Sequence, residues 1–105
     1  MKKILNLKLP NGIEPFEKWM EELDPRSAAR IYTSIDRVAA EGSRKNVKAL
    51  GNGIFEIKIK FGPGYRVYFC EMQKIIILLL LGGDKSTQER DIEKAKDYWR
   101  KYVQK

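Results

Sequence analysis

The chain has 105 residues, room for one domain with one modest core, so residues 1–105 are expected to fold as a single unit. Lysine and arginine number 21 against 14 aspartate and glutamate, a net charge of +7 with no histidine, which points to a polyanion such as nucleic acid, or to an acidic protein, as partner. The one cysteine, Cys70, excludes an intrachain disulfide framework and fits a reducing compartment, so the expected location is cytoplasmic.

The opening MKKILNLKLP alternates, with Ile4, Asn6 and Lys8 on one side and Leu5, Leu7 and Leu9 on the other, the period of a half-buried strand ended by PNG. It holds no apolar run long enough for a signal peptide. Phe16, Trp19, Met20 and Leu23 then recur at helical spacing, and Asp24-Pro25 stops that helix and starts another. In the second helix Ala28, Ile31, Ile35, Val38 and Ala39 form an apolar stripe that ends near Gly42.

From Gly53 the period is two. Phe55, Ile57, Ile59 and Phe61 face one way, whereas Ile54, Glu56, Lys58 and Lys60 face the other. FGPGY sets Pro63 and Gly64 at the centre of a turn, and the returning strand puts Arg66 and Tyr68 on the face of the lysines, which is expected to be the solvent side. KIIILLLL does not alternate and reads as a central strand covered on both faces, ended by Gly82-Gly83. Its apolar core, Ile75 to Leu81, falls far short of the ~20 residues a membrane helix needs, so no membrane partner is expected. STQE matches a capping box, Ser86 with Glu89, before a last helix with Ile92, Ala95 and Trp99 on its apolar stripe. The expected class is α+β, a small antiparallel-rich sheet in the order β-α-α-β-β-β-α.

With no histidine the commonest general base is missing, and one cysteine without clustered carboxylates gives no set of ligands for a transition metal; no metal or cofactor is expected. LGGDKST has the wrong glycine spacing for a P-loop. Free amides at the helix start near Ser86, beside Lys85, form a generic anion site. Lysines on an exposed strand are commonly edge protection. Arg66 beside Tyr68 and two ammonium groups is a richer set, since a guanidinium fork and cations suit phosphate and a ring suits a base.

LGNGIFEIKIKFGPGYRVYF followed by LLLLGGDKSTQERDIEKAKDYW resembles the RelE/ParE toxin superfamily, in its phage-related addiction module killer (HigB/Gp49-like) branch. The resemblance implies a toxin of a type II toxin-antitoxin pair, restrained by a helix-turn-helix antitoxin encoded adjacently. RelE-like members are metal-free, ribosome-dependent endoribonucleases that cut messenger RNA, whereas ParE-like members inhibit DNA gyrase without enzymatic activity; an inactive RNA-binding domain is a further alternative. The cation cluster favours the ribonuclease. Carried over by motif, Arg66, Lys58, Lys60 and Lys85 are the catalytic candidates, Glu56 is the other candidate base, and Tyr68, Ser86, Gln88 and Arg90 are the expected RNA contacts. One departure stands out: many ribonuclease members carry a tyrosine or histidine near the start of the last helix, and Gly82 to Glu93 has neither.

Overall fold

The computed structural model describes residues 1–41 and 44–104, and the expected helix end at Gly42 lies outside them. The elements run β1 (Lys3–Asn6), α1 (Pro15–Met20), α2 (Pro25–Glu41), β2 (Val47–Gly51), β3 (Ile54–Ile59), β4 (Tyr65–Met72), β5 (Ile76–Asp84), a 3-10 turn (Lys85–Thr87), α3 (Gln88–Tyr98) and a closing π turn (Trp99–Val103). Five strands form one mixed sheet in the order β1-β5-β4-β3-β2, in which β1 is parallel to β5 and the other pairs are antiparallel. The class is α+β as expected, but the element order gains a strand. β2 carries only two partly buried side chains among exposed ones, so an edge strand of this kind shows no period to read.

Asp24 caps α2: its carboxylate accepts from the Ser27 amide at 3.1 Å and the Ser27 hydroxyl at 2.6 Å, and Pro25 takes the first helical position. Those bonds hold the Asp24 carboxyl below its ordinary range. The β3–β4 turn sits one residue earlier than the sequence implies. Gly64 N–H donates to Phe61 O at 3.2 Å, which makes Gly62 and Pro63 the central pair, and Gly62 supplies the positive φ of 58° there.

Both faces of the sheet are covered. On one, Phe16 and Met20 of α1 and Ile31, Ile35 and Val38 of α2 pack on Ile57, Ile59, Val67, Phe69, Ile77 and Leu79. On the other, Ala95 of α3, with partly buried Ile92, Tyr98 and Trp99, packs on Ile54, Tyr68, Cys70, Leu78, Leu80 and Leu81. The β4–β5 register shifts between Tyr68 and Phe69, which face Leu81 and Leu79, so Leu80 is the extra residue of a bulge and joins Leu81 on the α3 side. This double cover explains why β5 reads as a continuous apolar run.

Gly82-Gly83 does not end β5 but lies inside it. A β-carbon at Gly82 would fall within the Trp19 ring of α1, and one at Gly83 would fall on the Asp91 carboxylate of α3. The two glycines therefore let a helix approach the strand from each side.

Replacing Gly82 by alanine forces Trp19 off the strand and is expected to cost about 1–3 kcal/mol. The readout is a lower urea midpoint at unchanged slope; a wild-type midpoint contradicts the close approach. Cys70 gives a second check. Burial pushes its thiol up to about 11, so thiol reagents at neutral pH should label it only as the chain unfolds, and rapid native labelling contradicts the α3 cover.

Candidate functional site

The β3–β4 register sets Glu56 opposite Tyr68 and Lys58 opposite Arg66, and Arg66 in turn faces Gly83 of β5. Alternation sends Glu56, Arg66 and Tyr68 to the side that α3 covers. They are buried, not solvent-facing: the side chains of Glu56 and Arg66 are 5% and 7% exposed, and Tyr68 is fully enclosed. Period two separates the faces of a strand but is silent on whether the second face is also covered, and here α3 covers it.

Inside this enclosure the charges are paired. Arg66 Nε lies 3.8 Å from Glu56 Oε2, an ion pair without a hydrogen bond, and Arg66 Nη1 donates to Gly64 O at 3.0 Å. Gln88, at the first position of α3, donates from Nε2 to the same Glu56 oxygen at 3.0 Å. Glu56 is thus engaged from two sides and orients the guanidinium. Arg66 Nε and the Tyr68 hydroxyl are buried with no hydrogen-bond partner among the described residues. Burial pushes the Tyr68 hydroxyl well above its ordinary range, and the nearby Glu56 carboxylate adds to the shift. Enclosed as it is, the Tyr68 ring is a floor for Arg66 and presents no face on which a base could stack.

Three of the expected cations lie outside the enclosure. Lys58, Lys60 and Lys85 are exposed. Lys58 is the cross-strand neighbour of Arg66. Lys85 reaches the same corner by another route: a β-carbon on Gly64 would stand 3.5 Å from Arg66 Nη1 and 3.6 Å from Lys85 Cβ, so the two residues approach one glycine, held at φ 80°. The fold therefore gathers Glu56, Lys58, Arg66, Lys85 and Gln88 around the β3–β4 turn. Neither Lys60 nor Arg90 is tied to that group by an ion pair or hydrogen bond among the described residues, and Arg90 borders a cleft between α1 and α3 with Trp19 and Tyr98.

The helix start is capped differently from the STQE reading. Asp84 Oδ1 accepts from the Ser86 amide at 2.8 Å and the Ser86 hydroxyl at 2.5 Å, and the Asp84 amide donates to Thr87 Oγ1 at 3.3 Å, closing a capping box on the 3-10 turn. The Ser86 hydroxyl, with the neighbouring amides, holds the Asp84 carboxyl below its ordinary range. The Ser86 groups expected to receive an anion are therefore already bonded to Asp84. Thr87 also donates to Asp91 Oδ2 at 2.5 Å, which fixes a buried carboxylate over Gly83. Nothing in the sequence pattern marks Asp91, because it lies one residue off the apolar stripe of α3. Among the described residues no group of three His, Cys, Asp or Glu side chains is placed to hold a metal ion.

A guanidinium fixed on two sides in a water-poor corner, with two mobile ammonium groups at its rim, is suited to receive an anion such as a phosphate. Removing one partner of the buried pair leaves the other charge stranded. Glu56→Ala is expected to destabilise by about 3–5 kcal/mol, whereas Lys58→Ala and Lys60→Ala should stay within about 0.5 kcal/mol. Chemical denaturation distinguishes them, and equally small effects contradict the enclosure.

The stretch that carries these residues is also the one shared with other proteins. An uncharacterized protein of Haemophilus influenzae (strain ATCC 51907 / DSM 11121 / KW20 / Rd) is 42% identical over 82 residues, which covers 77% of this chain and 82% of the relative. The family described as phage derived protein Gp49-like (DUF891) matches residues 18–100, from α1 through α3. The chain belongs to this Gp49-like family.

Proposed function

We propose that the protein is the toxin of a type II toxin-antitoxin pair with the RelE-like fold and activity, a metal-independent endoribonuclease that cuts messenger RNA on the ribosome and is restrained by an adjacently encoded helix-turn-helix antitoxin. The observation that carries this reading is Arg66, held by Glu56 and the Gly64 carbonyl with Lys58 and Lys85 beside it. Membership in a phage-derived family and the net charge of +7 support it. Gyrase inhibition calls for no such fixed guanidinium.

In the proposed reaction the 2′-oxygen bonds to the adjacent phosphorus, its proton passes to a base, and the 5′-oxygen leaves with a proton from an acid. Arg66 stabilises the doubly charged phosphorane, and because its position is set before substrate arrives, little reorganisation accompanies the charge build-up. Lys58 and Lys85, exposed on either side of it, are the proton-moving groups, and Glu56 is the orienting carboxylate. Gln88 joins α3 to this set through Glu56. Lys60 and Arg90, further out, track the RNA backbone.

Expression alone should arrest growth, and coexpression of the adjacent helix-turn-helix protein should restore it. Because Arg66→Ala would strand Glu56, the informative variant is Glu56→Gln with Arg66→Gln, which removes both charges together. It should remain folded and cut ribosome-bound message ~10² to 10³ times more slowly. Primer extension on a reporter message reads the cuts. Unimpaired growth at high soluble expression, DNA breaks in place of RNA cuts, or wild-type cutting by the folded double variant would each overturn the reading.

A further inference from the structure

On the face of the sheet opposite α3, helix α2 carries Arg26, Arg30 and Arg37 at helical spacing along one flank, all exposed. That flank runs about three turns, ~16 Å at ~1.5 Å per residue. Opposite its C-terminal half, Lys45 and Asn46 lead into β2 and Lys58 stands on β3; together with Ser34 and Arg37 they line a cavity of about 180 Å³. Three cations, a hydroxyl and an amide around one small cavity form a donor set for a phosphate. None of Arg26, Arg30, Arg37, Lys45 and Lys58 forms an ion pair with a described residue, so their charge is available to a ligand.

The kind of polyanion follows from the one aromatic ring on this flank. The Arg30 guanidinium lies 4.8 Å and the Arg26 guanidinium 5.7 Å from the centroid of Phe61, so both cations crowd that ring. With its ring already occupied, the flank offers no platform on which a single-stranded base could stack. Contact is confined to the backbone, which is how duplex RNA is held.

We propose that the α2 flank with the start of β2 is a second nucleic-acid surface, which grips backbone phosphates of double-stranded RNA without reading sequence. It is separate from the Arg66 corner, on the other side of the sheet, and Lys58 alone borders both. A chain using both surfaces docks on structured RNA while the corner engages a single strand.

The test is fluorescence anisotropy with a labelled RNA duplex of about 16 base pairs and the matching single strand, each titrated over a range of salt. The wild-type chain should prefer the duplex. Arg37→Ala with Lys45→Ala should weaken duplex binding equally for unrelated sequences and reduce the salt slope by about 2, one for each phosphate that is no longer neutralised, with melting unchanged. Arg26→Ala with Arg30→Ala should act in the same direction. The Glu56→Gln, Arg66→Gln variant should keep the wild-type slope. Preference for the single strand, or a wild-type slope in both flank variants, overturns the proposal. Duplex binding through the flank by a chain that cuts no message upholds this surface while removing the ribonuclease reading.

Discussion

A sheet that is apolar on both faces must be covered on both, and in this chain the second cover, α3, comes down on the strip from which Glu56, Arg66 and Tyr68 project. That docking decides everything near the β3–β4 turn. It needs Gly83, since any side chain there would meet Asp91, and it needs Gly82 so that α1 can close from the opposite side. It also encloses two opposite charges, whose desolvation offsets most of their mutual attraction. The pair contributes little net stability by this argument. What it provides is position: a guanidinium with two fixed partners, beneath the first turn of a helix that is itself tied down by Gln88.

Position is what chemistry on a phosphate requires. Opposite charges interact more strongly where water is scarce, and a donor already in place has no reorganisation to undergo as negative charge develops. The division between one buried guanidinium and several exposed lysines follows from the residue types. An arginine stays protonated when enclosed, while lysine on its flexible stem is free to approach a ligand and exchange protons. The remaining excess of charge lies away from this corner, along α2 and the start of β2, where its long reach can attract a polyanion before any specific contact forms.

Much of the framework is legible in the sequence because period carries it. Alternation marks β1, β3 and β4, the Asp24-Pro25 pair marks the start of α2, and the unbroken apolar run assigns β5 its central place between β1 and β4. β2 escapes because an edge strand with two half-buried side chains has nothing to alternate. Gly82-Gly83 resembles a terminator, since a glycine's sequence signal is the same whether it turns the chain or makes room for a neighbour. The site is half legible. Its cations are visible by type, and Lys58 and Arg66 do stand side by side. Their burial is not, because it depends on a helix some distance downstream, and no local pattern reports which face a distant helix will cover. The same limit hides the cap: Asp84 takes the Ser86 amide through a 3-10 turn that a capping-box motif does not anticipate.

The central claim is that Arg66 is locked by Glu56 under α3, and nitrogen-15 NMR of the arginine side chains observes it directly. The Nε–H of Arg66 should exchange with water far more slowly than those of exposed Arg26, Arg30 and Arg37, and substitution of Glu56 by Gln should speed it. An Arg66 Nε–H that exchanges as fast as the exposed arginines, with Glu56 intact, would contradict the account.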